Sequence, residues 1–121
     1  MVQMIGTAAF FCLVLSSCAP IVPMGTVLRG EVEDGSIISL QGYVSLAFEG
    51  QSIYPTLREC QEHNTARAFW IDLPRHKLPE TWQACDYAEV SGVFRSDETG
   101  HFGGWPSGGI VSVSYVRALP K

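Results

Sequence analysis

Two stretches of this chain alternate apolar and polar residues at every second position, and both place a glycine where an inward side chain belongs. In the first, residues 37–48, Ile38, Leu40, Val44, Leu46 and Phe48 share one face, and Ser39, Gln41, Tyr43 and Ser45 share the other. In the second, Tyr87 to Arg95, Ala88, Val90 and Phe94 alternate with Glu89 and Ser91. Period two is the mark of a half-buried strand. The glycines, Gly42 and Gly92, occupy inward slots. A glycine inside a strand marks a bulge or a sharp bend, the device that curls a sheet towards a barrel.

Weaker strand signals complete a sheet. Val27 to Val32 reads as a short strand closed by Asp34-Gly35. Ile53-Tyr54 follows the turn Glu49-Gly50-Gln51-Ser52. Ala66 to Leu73 puts Phe69, Ile71 and Leu73 on one face, and Ile110 to Val116 is the last strand. Between them Thr56-Leu57-Arg58-Glu59 reads as a capping box, opening a brief helix over Leu57 to His63 with Asn64 as its stop. Pro74 to Pro79 is a loop, and Pro79-Glu80-Thr81-Trp82 can open one further helical turn. The expected fold is mainly β: a small, five- to six-stranded OB-like barrel with one short helix after the third strand. Twelve Gly and seven Pro suit a fold made of turns rather than long helices.

The amino terminus carries a different signal. An apolar run, Ile5 to Leu15, leads into Leu15-Ser16-Ser17-Cys18, and Ala19-Pro20 follows. The run is too short to span a bilayer core, which takes roughly 20 apolar residues. Aliphatic, small, small, cysteine resembles the lipobox of bacterial lipoproteins. The departure from that pattern is Met1-Val2-Gln3-Met4, which holds no Lys or Arg. The resemblance implies a signal peptide over residues 1–17, and a diacylglyceryl thioether with an acylated amine on Cys18. It implies the periplasmic face of the outer membrane as the location, because Ala19 stands where Asp would signal retention at the inner membrane. Residues 18–25, with two prolines and no periodicity, read as an extended tether, and residues 26–121 as the barrel domain. Removing residues 1–17 leaves about 104 residues, enough for one modest core.

Under that resemblance the cysteines sort themselves. Cys12 leaves with the signal, Cys18 takes lipid, and Cys60 and Cys85 remain as a pair in an oxidising compartment, so a disulfide is expected. The rival reading is a metal-binding or reactive thiol pair, which would want C-x-x-C or H-x-x-x-H spacing, and neither occurs. Three further motifs, Val90-Ser91-Gly92-Val93-Phe94, Gly100-His101-Phe102-Gly103 and Ile110-Val111-Ser112-Val113, loosely resemble those of OB-fold-like bacterial envelope proteins of unassigned activity. Short glycine-based motifs of this kind imply shared fold more than shared chemistry.

Charge and chemistry narrow the function. The chain carries a net charge of -4 and no run of Lys or Arg, which disfavours nucleic acid as a partner. No G-x-S-x-G elbow is present, and His63, His76 and His101 are too far apart to read as a metal trio. Glu89 and Asp72 sit on strands, where carboxylates usually face water rather than forming an acid/base pair. No cofactor, metal site or enzymatic activity is expected. The most suggestive stretch is His101 to Gly109, HFGGWPSGG, in which His101, Phe102 and Trp105 are candidate ligand-binding residues. Its rival is a hairpin connection whose Phe102 and Trp105 fold back over the barrel. Tyr43, Tyr54, Trp70 and Trp82 read either as an interaction patch or as closures of the barrel ends. The expected role is a non-enzymatic binding module. It is held to the membrane through Cys18 and engages another envelope protein, with peptidoglycan-fragment binding or lysozyme inhibition as alternatives.

Overall fold

The computed structural model describes residues 19–46, 50–73, 82 and 84–120. Five strands form a closed barrel in the order β1-β2-β3-β5-β4. They are β1 (Ile37–Ser45), β2 (Ser52–Tyr54), β3 (Phe69–Ile71), β4 (Asp86–Arg95) and β5 (Gly109–Ala118). β4 returns to lie antiparallel beside β1, which gives β4-β1-β2-β3 the Greek-key order. β5 then fills the gap between β4 and β3, pairing parallel with β3. This is the OB-like barrel that the alternation leads one to expect, with five strands.

β1 and β4 carry the barrel. They pair from Ile37↔Val93 to Val44↔Asp86, and Ile38, Leu40, Val44, Ala88, Val90 and Phe94 all point into the core. Phe69 and Ile71 of β3 and Ile110 of β5 meet them there, with the Phe69 and Phe94 rings edge to face at 5.9 Å. Both inward glycines are steric necessities. A Cβ at Gly42 would stand 2.7 Å from the Tyr54 carbonyl oxygen and 2.9 Å from Met24 Sδ. At Gly92 it would stand 2.7 Å from both Ile110 Cγ2 and the Val111 carbonyl oxygen. Opposite Gly92 the β5 register jumps from Tyr115 to Val111, and Ser112 adopts φ 47°. This bulge bends β5 where β4 bends.

Several sequence expectations need correction. Val27 to Val32 is not a strand: Met24–Leu28 forms a helix, α1, and Gly30 at φ 75° follows it. Met24 and Val27 lie three apart, which on a helix turns both onto one face, and both are buried in the core. The supposed tether over residues 18–25 is packed from Pro20 onwards. Ser39 N–H donates to Pro20 O at 2.8 Å, and Val22 N–H donates to Ser39 O at 2.9 Å. The folded unit therefore begins before residue 26. Without a strand at 27–32, the helix that was expected after the third strand lies between β2 and β3.

That helix, α2 (Leu57–Gln61), is shorter than expected because His63 turns left-handed at φ 53°. The capping box is present in altered form. Thr56 Oγ1 accepts from Glu59 N–H, but the Glu59 carboxylate takes the Thr56 hydroxyl and the Arg67 guanidinium rather than a backbone N–H. β3 covers only three residues of the expected Ala66–Leu73 strand. Asn64 Oδ1 accepts from Ala66 N–H and winds Thr65–Arg67 into a 3-10 turn. Cys60 and Cys85 form the expected disulfide, with Cα atoms 5.9 Å apart. It ties α2 to the start of β4, and a loop of this length contributes about 3 kcal/mol by chain-entropy reasoning. Phe48, the Pro74–Pro79 loop and all of the turn opened by Pro79 except Trp82 lie outside the described residues, as does Cys18.

The close approach at Gly42 makes a direct forecast. Gly42→Ala should lower stability by about 1–3 kcal/mol, because Met24 can move but the Tyr54 carbonyl cannot. Urea denaturation of parent and variant measures it, and an unchanged midpoint would show that the contact does not constrain the barrel.

Candidate functional site

The segment from Ser96 to Gly108 joins β4 to β5 and is braced at several points. Thr65 Oγ1 donates to Gly104 O at 2.6 Å, and Ser107 Oγ donates to Ala66 O at 3.1 Å. Trp105 Nε1–H donates to Ser52 Oγ at 2.8 Å, and Ser52 Oγ donates in turn to Gly50 O. The indole is 7% exposed, with its one polar atom satisfied. Gly108 holds φ 114°, and a Cβ there would stand 2.7 Å from Arg95 O. The loop is thus clasped to the 3-10 turn and to β2.

The three candidate residues of this loop separate. Trp105 is a buried anchor, in keeping with the folded-back reading. Phe102 is not: it is fully exposed, on a left-handed backbone at φ 58° between two further left-handed glycines, Gly100 and Gly103. A bulky non-glycine residue in that region is strained, and such positions cluster at sites of function. His101 is exposed, its ring edge-on to Trp70 at 5.7 Å, and Trp70 leans on Trp105 at 6.5 Å. The result is an imidazole edge-on to a half-buried indole, with the next residue, Phe102, bare in water. Together they offer an apolar face and one hydrogen-bonding group. The Ser107 hydroxyl of the same loop donates to Ala66 O.

The other aromatics divide between core and surface. Tyr54 is buried, whereas Tyr43, Trp70 and Trp82 are half-buried. Trp82 Nε1–H donates to Val44 O at 3.2 Å, so it closes over the barrel wall. Tyr43 meets Tyr87 edge to face at 5.1 Å. Those two rings, with Leu57, Cys85 and Pro120, line a groove of about 410 Å³. A second groove of about 480 Å³ runs along Ser45, Cys60, Gln61 and His63 on the other side of Leu57. Leu57, 43% exposed, stands between them. Sequence reasoning missed this surface. Leu57 reads as an ordinary helix residue, and its place beside Tyr43 and Tyr87 follows from long-range packing and the Cys60–Cys85 bridge.

Glu89 overturns a second expectation. Asp72 faces water, but Glu89 is 3% exposed. Gln41 Nε2 donates to it at 2.9 Å, Arg117 Nη2 at 2.9 Å, and the Tyr115 hydroxyl donates to the same oxygen as Arg117. Arg117 also lies over the Tyr115 ring at 5.0 Å. Burial alone would raise the Glu89 pKa, but the hydrogen bonds from Tyr115 and Gln41, with the Arg117 charge, outweigh it and hold the carboxyl below its ordinary value. The ionised form of Glu89 is thus favoured, and its three donors clamp β1, β4 and β5 together. His63 and His101 are exposed on separate elements, and His76 lies outside the described residues. Comparison with protein-family models, with curated proteins and with solved structures returned no match.

Two forecasts follow from these contacts. Folding lowers the Glu89 pKa, so the folded state binds fewer protons there than the unfolded chain. Its stabilisation is complete above the ordinary carboxylate range and is lost as pH falls below about 4. Glu89→Gln should cost about 1–3 kcal/mol at neutral pH, and the gap to the parent should narrow at about pH 3. Denaturant titrations at both pH values read this directly. In the loop, Trp105→Ala should cost about 3 kcal/mol or more, whereas Phe102→Ser should change stability by less than about 0.5 kcal/mol. Thermal unfolding of the two variants separates anchor from exposed tip.

Proposed function

We propose that this chain is a lipid-anchored, non-enzymatic binding module of the bacterial envelope. It is attached through Cys18 to the periplasmic face of the outer membrane, and its partner is another envelope protein. The anchor rests on the Leu15-Ser16-Ser17-Cys18 pattern. The Cys60–Cys85 bridge favours an oxidising compartment. The binding role is carried by one observation: Phe102 is wholly exposed on a strained backbone, in a loop braced against the barrel. A rigid aromatic held out in water offers a large apolar contact at little entropic cost, which is how interface anchors work.

Glycan binding at the same loop is the second reading, favoured by the exposed Phe102 and by His101 edge-on to Trp70. A sugar ring could stack on the phenyl face while the imidazole takes a hydroxyl. Inhibition of a lysozyme is a special case of the protein-binding reading and is tested by a lysozyme assay with the purified protein.

Metabolic labelling with a fatty acid should mark the parent and not Cys18→Ser; equal labelling would remove the anchor. Crosslinking in intact envelopes should recover a defined protein with the parent and much less of it with Phe102→Ser. If recovery is equal, the loop is not the contact. A change in tryptophan fluorescence on adding peptidoglycan fragments, absent in Phe102→Ser, would favour the glycan reading instead.

A further inference from the structure

The outer wall of the barrel carries an apolar row at one end. Ile37 of β1 is paired with Val93 of β4, and Val93 with Val111 of β5. Directly paired residues present their side chains on the same face, about 5 Å apart. Ile38 points inwards, so its neighbour Ile37 points out, and it is 62% exposed. Ile21 bridges in parallel to Ser39, two residues from Ile37 on that outer face, and is 58% exposed. Val93 and Val111 are half-buried. Along the same wall the row is flanked by Gln41, Glu89 and Arg117 on one side and by Arg95, paired with Asp97, on the other.

The chain immediately before Ile21 supplies the occupant. Pro20 already accepts a hydrogen bond from β1, and Cys18 is only two residues earlier. Two residues of fully extended chain span at most about 7 Å. The headgroup layer on each side of a bilayer is about 5–7 Å thick. A diacylglyceryl group on Cys18, rooted at the edge of the hydrocarbon, therefore keeps the barrel close against the membrane. What surrounds Ile21 must lie in or against the headgroups.

We infer that the Ile21–Ile37–Val93–Val111 wall docks on the lipid surface. This rests on the proposed acylation of Cys18 and adds an orientation to it: the protein does not float on a leash but sits with a defined side on the bilayer. The apolar row matches an interfacial site, where side chains reach past the headgroups while flanking charged groups stay among headgroups and water.

The test uses the full chain, processed in a Gram-negative host and reconstituted in vesicles of phosphatidylethanolamine with a minor share of phosphatidylglycerol. Ile37→Cys and Arg58→Cys are each labelled with a nitroxide. Arg58 is an exposed residue of α2 outside the row. Intact mass is measured first. With Cys18 acylated and Cys60 and Cys85 bridged, the introduced thiol is the reactive one. The inference expects the probe at 37 to lose collisions with an aqueous nickel chelate and gain collisions with oxygen, while the probe at 58 shows the reverse. Equal access to nickel at both positions overturns the docked wall but leaves the anchor standing. Dipolar broadening between probes at 37 would show a second copy covering the row, and also overturns it. A mass without acyl chains removes the anchor and the docking together.

Discussion

Closure of this barrel depends on two places where backbone meets backbone without a side chain between them. β1 and β4 are long enough to serve two neighbours each, but only if each coils sharply part-way along. Gly42 lets β2 and the Met24 thioether approach β1, and Gly92 lets β5 cross close over β4. The β5 bulge at Ser112 is the counterpart of the second bend. Without these approaches the inward rows of β1, β4 and β5 could not face one another across a single core.

The outside of the barrel is tied by a different interaction. Glu89, Gln41, Tyr115 and Arg117 join three adjacent strands through one ionised carboxylate. A buried charge is costly on its own, and this one is tolerated because several donors meet it. Removing one partner would leave the others facing a poorly solvated charge. The network therefore adds, on the outer face of β1, β4 and β5, a polar lock to the register that the buried inner faces already specify.

What could be read from the chain divides by range. The alternation in β1 and β4, the helix start at Thr56 and the bends at Gly42 and Gly92 are local patterns, and the folded chain carries them. Val27 to Val32 reads as a strand and residues 18–25 as a tether, where the fold has the helix Met24–Leu28, because a short apolar stretch does not distinguish a strand from one helical turn and only packing against Gly42 decides. β3 was read too long because the Asn64 side chain diverts the backbone into a 3-10 turn. The burial of Glu89 depends on Arg117 and Tyr115, more than twenty residues away, and on a bulge that sets their register. The exposure of Phe102 beside the burial of Trp105 likewise hinges on Ser52, a partner from another strand. The pairing of Cys60 with Cys85 needs no geometry under the lipobox resemblance, which leaves those two cysteines over.

β3 is the slenderest stave of the barrel. Two residues join it to β2, two join it to β5, and the latter pairing is parallel, between segments far apart in sequence. Parallel, non-local pairings close late and open early. Amide protons of Phe69 to Ile71 should therefore exchange sooner than those shared by β1 and β4, despite the burial of their side chains. The Cys60–Cys85 crosslink lies on the chain segments flanking this stave, so in the oxidised protein a frayed β3 remains close to its place and can settle back without unravelling the cylinder.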